Sequence, residues 1–124
     1  MMPASKIYRF FSIGFFILIH SLSVFAQDAS TFYNNGIKKK NSGDIQGSIA
    51  DFSKAIELQP NFTDAYNNRG TSYFELKKLE LALSDFNKAL ELNPELLIAH
   101  TNRGSVRYEL QDYTGALTDF SYVL

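Results

Sequence analysis

The sequence predicts an all-α fold, an α-solenoid of stacked helix–turn–helix repeats with about three units. A segment that runs from Gly47 to Pro60 returns in a copy that ends at Pro94 and begins a third time at Gly115. A fixed period of roughly 20–50 residues is the sequence signature of a stacked repeat. Apolar residues within each copy follow the spacing of one helix face, and no alternating pattern of a strand competes with it.

Length and composition limit the classes of function. The chain has 124 residues, which favours one domain, and its formal net charge is −1. That charge gives no reason to expect a nucleic acid or an acidic membrane surface as a partner. The absence of cysteine excludes disulfides, thiolate metal sites and cysteine nucleophiles. We therefore expect neither a metal nor a cofactor.

The segment 1–26 is predicted to be a signal peptide. A basic head holds Lys6 and Arg9, an apolar run extends to Val24, and the small residue Ala26 precedes Gln27. Cleavage is expected between Ala26 and Gln27, which predicts a periplasmic or secreted protein with no other membrane contact. The alternative is an uncleaved anchor, but a spanning helix needs about 20 mostly apolar residues and this run is shorter and interrupted.

The remaining chain divides into three units in register, each made of two helices. In the second unit, helices are predicted from about Asp64 to Leu76 and from about Leu79 to Leu92. Pro94 ends the second helix because proline cannot continue a helix and disfavours the helical conformation of the residue before it. The first unit is atypical and cap-like, and the third is incomplete at its C-terminus. The predicted units are residues 29–62, 63–96 and 97–124.

Small and aromatic residues recur at fixed places. Gly70 and Gly104 lie inside first helices, where glycine costs about 1 kcal/mol relative to alanine. Their repetition indicates the close approach of a neighbouring helix. One phenylalanine per unit is expected to fill the space between the paired helices, and these residues are Phe52, Phe86 and Phe120.

A unit of about 34 residues with Gly in the first helix, Ala, Phe and Ala in the second, and a closing Pro resembles the tetratricopeptide repeat. The resemblance covers essentially all of the chain after the signal. It implies an array whose first helices line a concave groove that binds a peptide or a helix of a partner. The matching residues are Gly36, Phe52, Ala55 and Pro60, then Tyr66, Gly70, Tyr73, Ala82, Phe86, Ala89 and Pro94, then Gly104, Ala116 and Phe120.

Several positions depart from the family pattern. Ser48 and Val123 stand in place of Ala, and Lys39 and Arg107 in place of Tyr. The lysine run from 38 to 40 is interpreted first as a solvated cap, with a membrane-binding patch as the minority alternative.

Arginines at 69 and 103 stand where the family usually has Leu. We hypothesise that Arg69 and Arg103 lay their stems on the core and pair with Asp residues of an adjoining helix, since Asp51, Asp85 and Asp119 precede each Phe. The alternative is that both partners are separately solvated.

The resemblance places a row of asparagines along the groove. A side-chain amide matches both halves of a peptide bond, so such a row could hold a partner's backbone. The alternative is that these amides face water or bond to the next helix. Phe74 and Tyr108 are candidate aromatic anchors, or else they pack between first helices. The predicted groove residues are Asn34, Asn68, Asn102, Asn67, Thr71, Phe74, Ser105 and Tyr108.

Some members of the family grip a partner's C-terminal carboxylate with Lys, Asn and Arg from successive first helices. Of the matching places here only Asn68 fits, so a free carboxylate is not expected to be the main recognition element. Catalysis also lacks support, because His100 is the one histidine outside the signal and no nucleophile elbow or phosphate loop occurs.

The favoured function is a non-catalytic, exported interaction module with a protein or peptide partner. The alternative is an N-terminal adaptor or regulatory portion of a longer exported enzyme or assembly factor. Leu117 and Phe120 in the incomplete third unit would lack a covering neighbour, which fits a fragment, a truncated gene product or end-to-end self-association through that face.

Overall fold

The computed structural model describes residues 28–124, which form six α-helices and, within that range, no strand. The predicted all-α class is confirmed, and the predicted signal peptide lies outside the described residues. The helices are α1 over residues 28–41, α2 at Ile45–Leu58, α3 at Thr63–Glu75, α4 at Leu79–Leu92, α5 at Leu97–Glu109 and α6 at Tyr113–Val123.

Successive helices pack as antiparallel hairpins that stack on one another. Helix α3 packs on α4 and α5 on α6, while α2 meets α3 and α4 meets α5 across the unit boundaries. Helices α3 and α5 also touch, so neighbouring first helices lie side by side. The architecture is a helical repeat solenoid of about three units. No helix within residues 28–124 is both long enough and apolar enough to cross a membrane.

The turn between the two helices of each unit repeats with the same backbone geometry. Gly43, Lys77 and Gln111 stand at equivalent places in the three units, and all adopt positive φ, at 87°, 57° and 64°. A left-handed residue lets the chain reverse sharply after the first helix, and only the first of the three is the glycine that this conformation favours. In the first and third units, Asp44 and Asp112 cap the N-termini of α2 and α6. Each carboxylate accepts from the backbone N–H three residues farther on.

A glycine on each first helix lies directly over the phenylalanine ring of its partner helix. A Cβ atom built on Gly70 would lie 2.8 Å from a ring carbon of Phe86, well inside van der Waals contact. The same contact recurs at 2.7 Å between Gly36 and Phe52 and at 2.6 Å between Gly104 and Phe120. The close approach predicted at Gly70 and Gly104 is therefore confirmed, and Gly36 of the first unit shows it as well.

Two apolar clusters join the second unit to the third. Val106 of α5 is fully buried together with Ala82 and Phe86 of α4. Farther along the same interface, Ala99 of α5 packs with Ala89 and Leu90. These contacts hold α5 in place and so set the position of the groove surface that it carries.

We expect Gly70→Ala to destabilise the protein, although alanine is the better helix former by about 1 kcal/mol. The new methyl group must displace the buried Phe86 ring, and overpacking of this kind costs about 1–3 kcal/mol. Urea unfolding measures the net loss, which should shrink when Phe86→Leu is also present because the smaller side chain makes room. Ser84→Ala, at an exposed helical position, is the control and should change stability by less than about 0.5 kcal/mol. A gain in stability for Gly70→Ala would contradict this packing.

Candidate functional site

The candidate site is the groove face of α1, α3 and α5, where three of the four predicted asparagines take part in links between neighbouring helices. Asn68 Nδ2 donates to the Tyr33 hydroxyl of α1 at 2.9 Å and to the Asp64 carbonyl at 3.1 Å. Asn102 Nδ2 donates to Asn67 Oδ1 of α3 at 3.3 Å. The structure thus brings these residues together along the groove, while Asn34 of the first unit is exposed.

The orientation of the Asn68 amide follows from its surroundings. A backbone carbonyl can only accept, so the amide edge that faces the Asp64 carbonyl must be the nitrogen. The amide oxygen then points the other way. Among residues 28–124, no donor reaches the side-chain oxygen of Asn68 or Asn102.

Thr71 forms part of a second link between the first helices. Its hydroxyl accepts from Lys40 Nζ and donates to the Asn68 carbonyl at 2.7 Å. Lys40 also lies 3.5 Å from a carboxylate oxygen of Glu75. One unit on, Lys77 Nζ donates to Glu109 at 2.9 Å. Each boundary between first helices therefore carries a lysine–glutamate pair.

The interpretation of the lysine run as a solvated cap is wrong for Lys40, one of its three members. Lys39 Nζ lies 2.8 Å from Asp51 Oδ2, and Lys40 bridges α1 to α3 with only 22% of its side chain exposed. Acceptors on α3 draw Lys40 out of solvent, whereas Lys38 is exposed and Lys39 keeps 44% of its side chain exposed beside Asp51.

The remaining predicted groove residues differ in what they offer a ligand. Phe74 packs against the cluster around Phe86, and the Lys77 ammonium lies 5.3 Å from its ring centroid, so its contacts are mainly internal. Ser105 Oγ donates to the Thr101 carbonyl at 3.1 Å. Tyr108 is exposed and meets Tyr113 edge-on at 5.4 Å between ring centroids. Tyr108 is therefore the predicted anchor that presents free aromatic surface.

The hypothesised arginine–aspartate pairs are present in the second and third units. Arg69 donates to both carboxylate oxygens of Asp85, at 2.7 and 2.8 Å, and its third donor reaches Ser53 Oγ at 3.0 Å. Each arginine thus joins the second helix of its own unit to the second helix of the unit before it. We call this arrangement the arginine strut.

The third unit repeats the strut. Arg103 donates to Asp119 at 2.6 and 2.9 Å and to Asn87 Oδ1 at 3.0 Å. The contact to the preceding unit was not predicted. Its only sequence signal is that Ser53 and Asn87 stand at equivalent places in successive units.

Asp119 is almost fully buried, and three side chains of α5 lie within hydrogen-bond distance of its carboxylate. Besides Arg103, Arg107 Nη1 donates to it at 2.8 Å and His100 Nδ1 lies 3.2 Å away. Burial raises the pKa of the Asp119 carboxyl, but the hydrogen bonds and charges of its partners outweigh this and hold the pKa below its ordinary value. At Asp85, which has a single guanidinium partner, burial prevails and raises the pKa.

His100 uses both ring nitrogens in structural contacts. Nε2 lies 2.8 Å from the Pro94 carbonyl. Tyr66, the equivalent residue one unit earlier, makes the same kind of contact, because its hydroxyl donates to the Pro60 carbonyl. Its ring stacks on Tyr122 at 3.9 Å between centroids. These contacts fit the expected packing role. Within residues 28–124, no group of three or more His, Cys, Asp or Glu residues is placed to hold a metal ion.

Removing one partner of the arginine strut should be strongly destabilising. Arg69→Leu leaves the Asp85 carboxylate buried and unpaired, and breaking a buried pair costs about 3–5 kcal/mol. Adding Asp85→Asn should recover part of the loss, and urea unfolding of the single and double variants measures this coupling. Lys54→Ala breaks an exposed pair with Glu57 and is the control, with an expected loss below about 1 kcal/mol. Additive losses at positions 69 and 85 would rule out the strut.

The lowered pKa of Asp119 predicts a specific acid sensitivity. A carboxyl whose pKa lies lower in the folded than in the unfolded state stabilises the fold above its unfolded pKa of about 3.9. That contribution is lost as the pH falls through the folded pKa. Thermal unfolding between about pH 5 and 2 should therefore show a smaller decline for Asp119→Asn than for the wild type, with Glu57→Gln as the exposed control. Equal declines in all three proteins would show that Asp119 is not stabilised as a carboxylate.

Comparisons with known proteins agree with this architecture. A family model described as tetratricopeptide repeat matches residues 63–96, and one described as TPR repeat matches residues 40–76. An uncharacterized protein of Methanocaldococcus jannaschii is 35% identical over 54 residues, which are 44% of this chain and 63% of that protein. The match thus spans less than two thirds of this relative's length.

Two solved structures are similar over most of the chain. The first TPR of Spaghetti (RPAP3), bound to the HSP90 peptide SRMEEVD, is 32% identical with a TM-score of 0.78 and covers 80% of this chain and 79% of that one. The first TPR domain of the human RPAP3 protein is 31% identical with a TM-score of 0.76, covering 80% and 78%. Repeat spacing, helical hairpins and these similarities together show that the chain belongs to the tetratricopeptide repeat family.

Proposed function

We propose that the chain is a non-catalytic interaction module whose concave groove binds an extended segment of a partner protein. The observation that carries this proposal is the way two groove amides are engaged. Asn68 is held through nitrogen by the Asp64 carbonyl and the Tyr33 hydroxyl, which leaves its amide oxygen for a ligand, and Asn102 pairs with the Asn67 amide through one edge, which leaves its other polar atom for a ligand. The similar Spaghetti domain, bound to a peptide, supports the general mode.

The side-chain oxygen of Asn68 can accept a hydrogen bond from a backbone N–H of the partner. The groove then recognises the backbone of an extended segment largely irrespective of its side chains. Each such bond contributes only about 0.5–1.5 kcal/mol net, so two of them give weak binding by themselves. Exposed apolar side chains along the same face, Ile98 and Tyr108, supply the surface that would add affinity.

The charges of the groove favour a neutral segment over an acidic one. Its glutamates, Glu75 and Glu109, lie beside Lys40 and Lys77, so the local charges largely cancel. Besides Asn68, the places that match the carboxylate grip hold no cation, and their residues are Tyr33, Ile37, Ile98 and Asn102. The peptide SRMEEVD, bound by the similar domain, carries three acidic side chains. We therefore propose that the partner segment of this chain is neither acidic nor a free C-terminus.

We propose further that the protein works outside the cytoplasm. The support is the sequence of residues 1–26, with its basic head, apolar run and small residue before Gln27. Mass spectrometry of the chain from an exported fraction tests this point, because cleavage leaves Gln27 as the N-terminal residue.

The groove proposal is tested with dodecamer peptides selected from a random display library on the full chain. Combined Asn68→Ala and Asn102→Ala should weaken a selected peptide about 5- to 150-fold, the equivalent of two lost hydrogen bonds. Asn61→Ala, at an exposed turn position, is the matched control and should leave affinity unchanged. Tyr33→Phe removes one of the two acceptors of the Asn68 nitrogen without removing the amide and should give an intermediate loss. Unchanged affinity in the double variant, with unchanged circular dichroism, would refute backbone recognition by these amides.

The peptide SRMEEVD itself tests the charge argument. We expect it to bind the full chain at least tenfold more weakly than a selected neutral peptide, measured by fluorescence anisotropy at the same ionic strength. Equal or tighter binding would show that the groove accepts an acidic C-terminus in spite of its missing cations.

A further inference from the structure

We propose that the partner segment carries one basic side chain, a lysine or an arginine among otherwise uncharged residues, which the groove binds through Asp64. This inference rests on the proposed function and deepens it, because contacts to the backbone do not select side chains. Asp64 lies in the first turn of α3, one helical turn before Asn68, so the two side chains share one side of the helix. Asp64 is exposed there.

Asp64 differs from the other carboxylates of α3 and α5 in having no cation beside it. Glu75 of α3 lies 3.5 Å from Lys40, and Glu109 of α5 lies 2.9 Å from Lys77. Among residues 28–124, no lysine or arginine lies within ion-pair distance of the Asp64 carboxylate. Its negative charge is therefore presented to the segment that lies in the groove.

The charge of Asp64 acts at the boundary between α1 and α3, where the groove amide is held. Asn68 Nδ2 donates to the Asp64 carbonyl and to the Tyr33 hydroxyl. Burial raises the pKa of the Tyr33 hydroxyl, and the negative charge of Asp64 raises it further. A backbone N–H bound at the Asn68 oxygen therefore brings the adjoining side chain of the segment within reach of Asp64. The long, flexible stem of a lysine or an arginine suits this position.

The equivalent place on the next first helix is apolar. Ile98 of α5 is the equivalent of Asp64, and 54% of it is exposed. Asp64 stays exposed although α5 packs beside α3, so the exposure of this place does not depend on what lies beside the first helix. The groove thus offers a carboxylate on one helix and an aliphatic side chain on the next.

The separation of α3 and α5 sets the spacing of the side chains that they bind. The axes of packed helices lie about 8–10 Å apart, and an extended chain advances about 3.3 Å per residue. A segment that crosses from α3 to α5 therefore presents an aliphatic side chain to Ile98 about three residues away from the basic one. These two positions give the groove a side-chain preference that its amides alone do not provide.

An acidic residue in the first turn also stabilises a helix through the helix dipole, and this role must be separated from ligand binding. Glu80 provides the separation, because it too is exposed and lies in the first turn of its helix. Its helix is α4, a second helix, so Glu80 does not belong to the groove. A charge change at Glu80 therefore reproduces the effect of one at Asp64 on the helix dipole and on the net charge, but not its effect on a bound segment.

The probes are fluorescent dodecamer peptides selected from a random display library on the full chain, and we expect them to share a lysine or an arginine. Asp64→Lys should bind such a peptide about tenfold more weakly, because a repulsion replaces an attraction, and Asp64→Asn about threefold more weakly. A peptide with glutamate in place of the basic residue should instead prefer Asp64→Lys over the wild type. Glu80→Lys is the matched control and should change affinity less than about twofold. The losses should shrink as the salt concentration rises from about 0.05 to 0.5 M.

The outcomes separate this inference from the proposed function. If combined Asn68→Ala and Asn102→Ala weakens a peptide that Asp64→Lys binds as tightly as the wild type, the groove proposal is retained and the basic side chain is refuted. If none of these variants weakens binding, both proposals fail. Selected peptides without a shared basic residue, or an equal loss in Glu80→Lys, would also overturn the inference. Circular dichroism establishes that Asp64→Lys and Asp64→Asn are folded, as expected for an exposed position.

Discussion

The contact between a glycine and a phenylalanine ring is the constraint on which the rest of this structure depends. It occurs once in each unit, where the backbone of the first helix lies on the ring of the second. Because no side chain separates them, the two helices approach closely, and the ring is fully buried in the first two units. This contact fixes the rotation of the first helix about its own axis. The side facing the ring is used for packing, and the opposite side is left to form the groove.

Many charged residues within residues 28–124 join helices to one another. The arginine struts connect three helices each, and the lysine–glutamate pairs connect neighbouring first helices. This explains the departures from the family pattern, because Arg107 and Lys39 stand in place of tyrosine and pair with Asp119 and Asp51. Since these charges have internal partners, the groove is left with amides, hydroxyls and a few exposed apolar side chains. Its chemistry therefore suits a neutral partner segment.

The repeat period predicted much of this structure, because helix packing repeats with the sequence. It predicted the helical hairpins, the enclosed phenylalanines and the pairing of Arg69 with an aspartate. It did not predict that Arg69 would also reach Ser53, or that Lys40 would turn toward Thr71 and Glu75. Such contacts depend on the rotation between successive units and on side-chain rotamers, which a spacing does not specify. The direction of the Asn68 amide was unpredictable for the same reason, since it is set by the Asp64 carbonyl and the Tyr33 hydroxyl.

The central claim is that the first helices pack through one side and bind a partner through the other. Nuclear magnetic resonance of the isotopically labelled full chain, titrated with a peptide selected on its groove, tests this claim most directly. The account predicts that chemical-shift changes concentrate on the side-chain amides of Asn68 and Asn102 and on the exposed residues of α5, while the resonances of α2 stay in place. Changes concentrated on α2 and α4, with the asparagine amides unmoved, would contradict it.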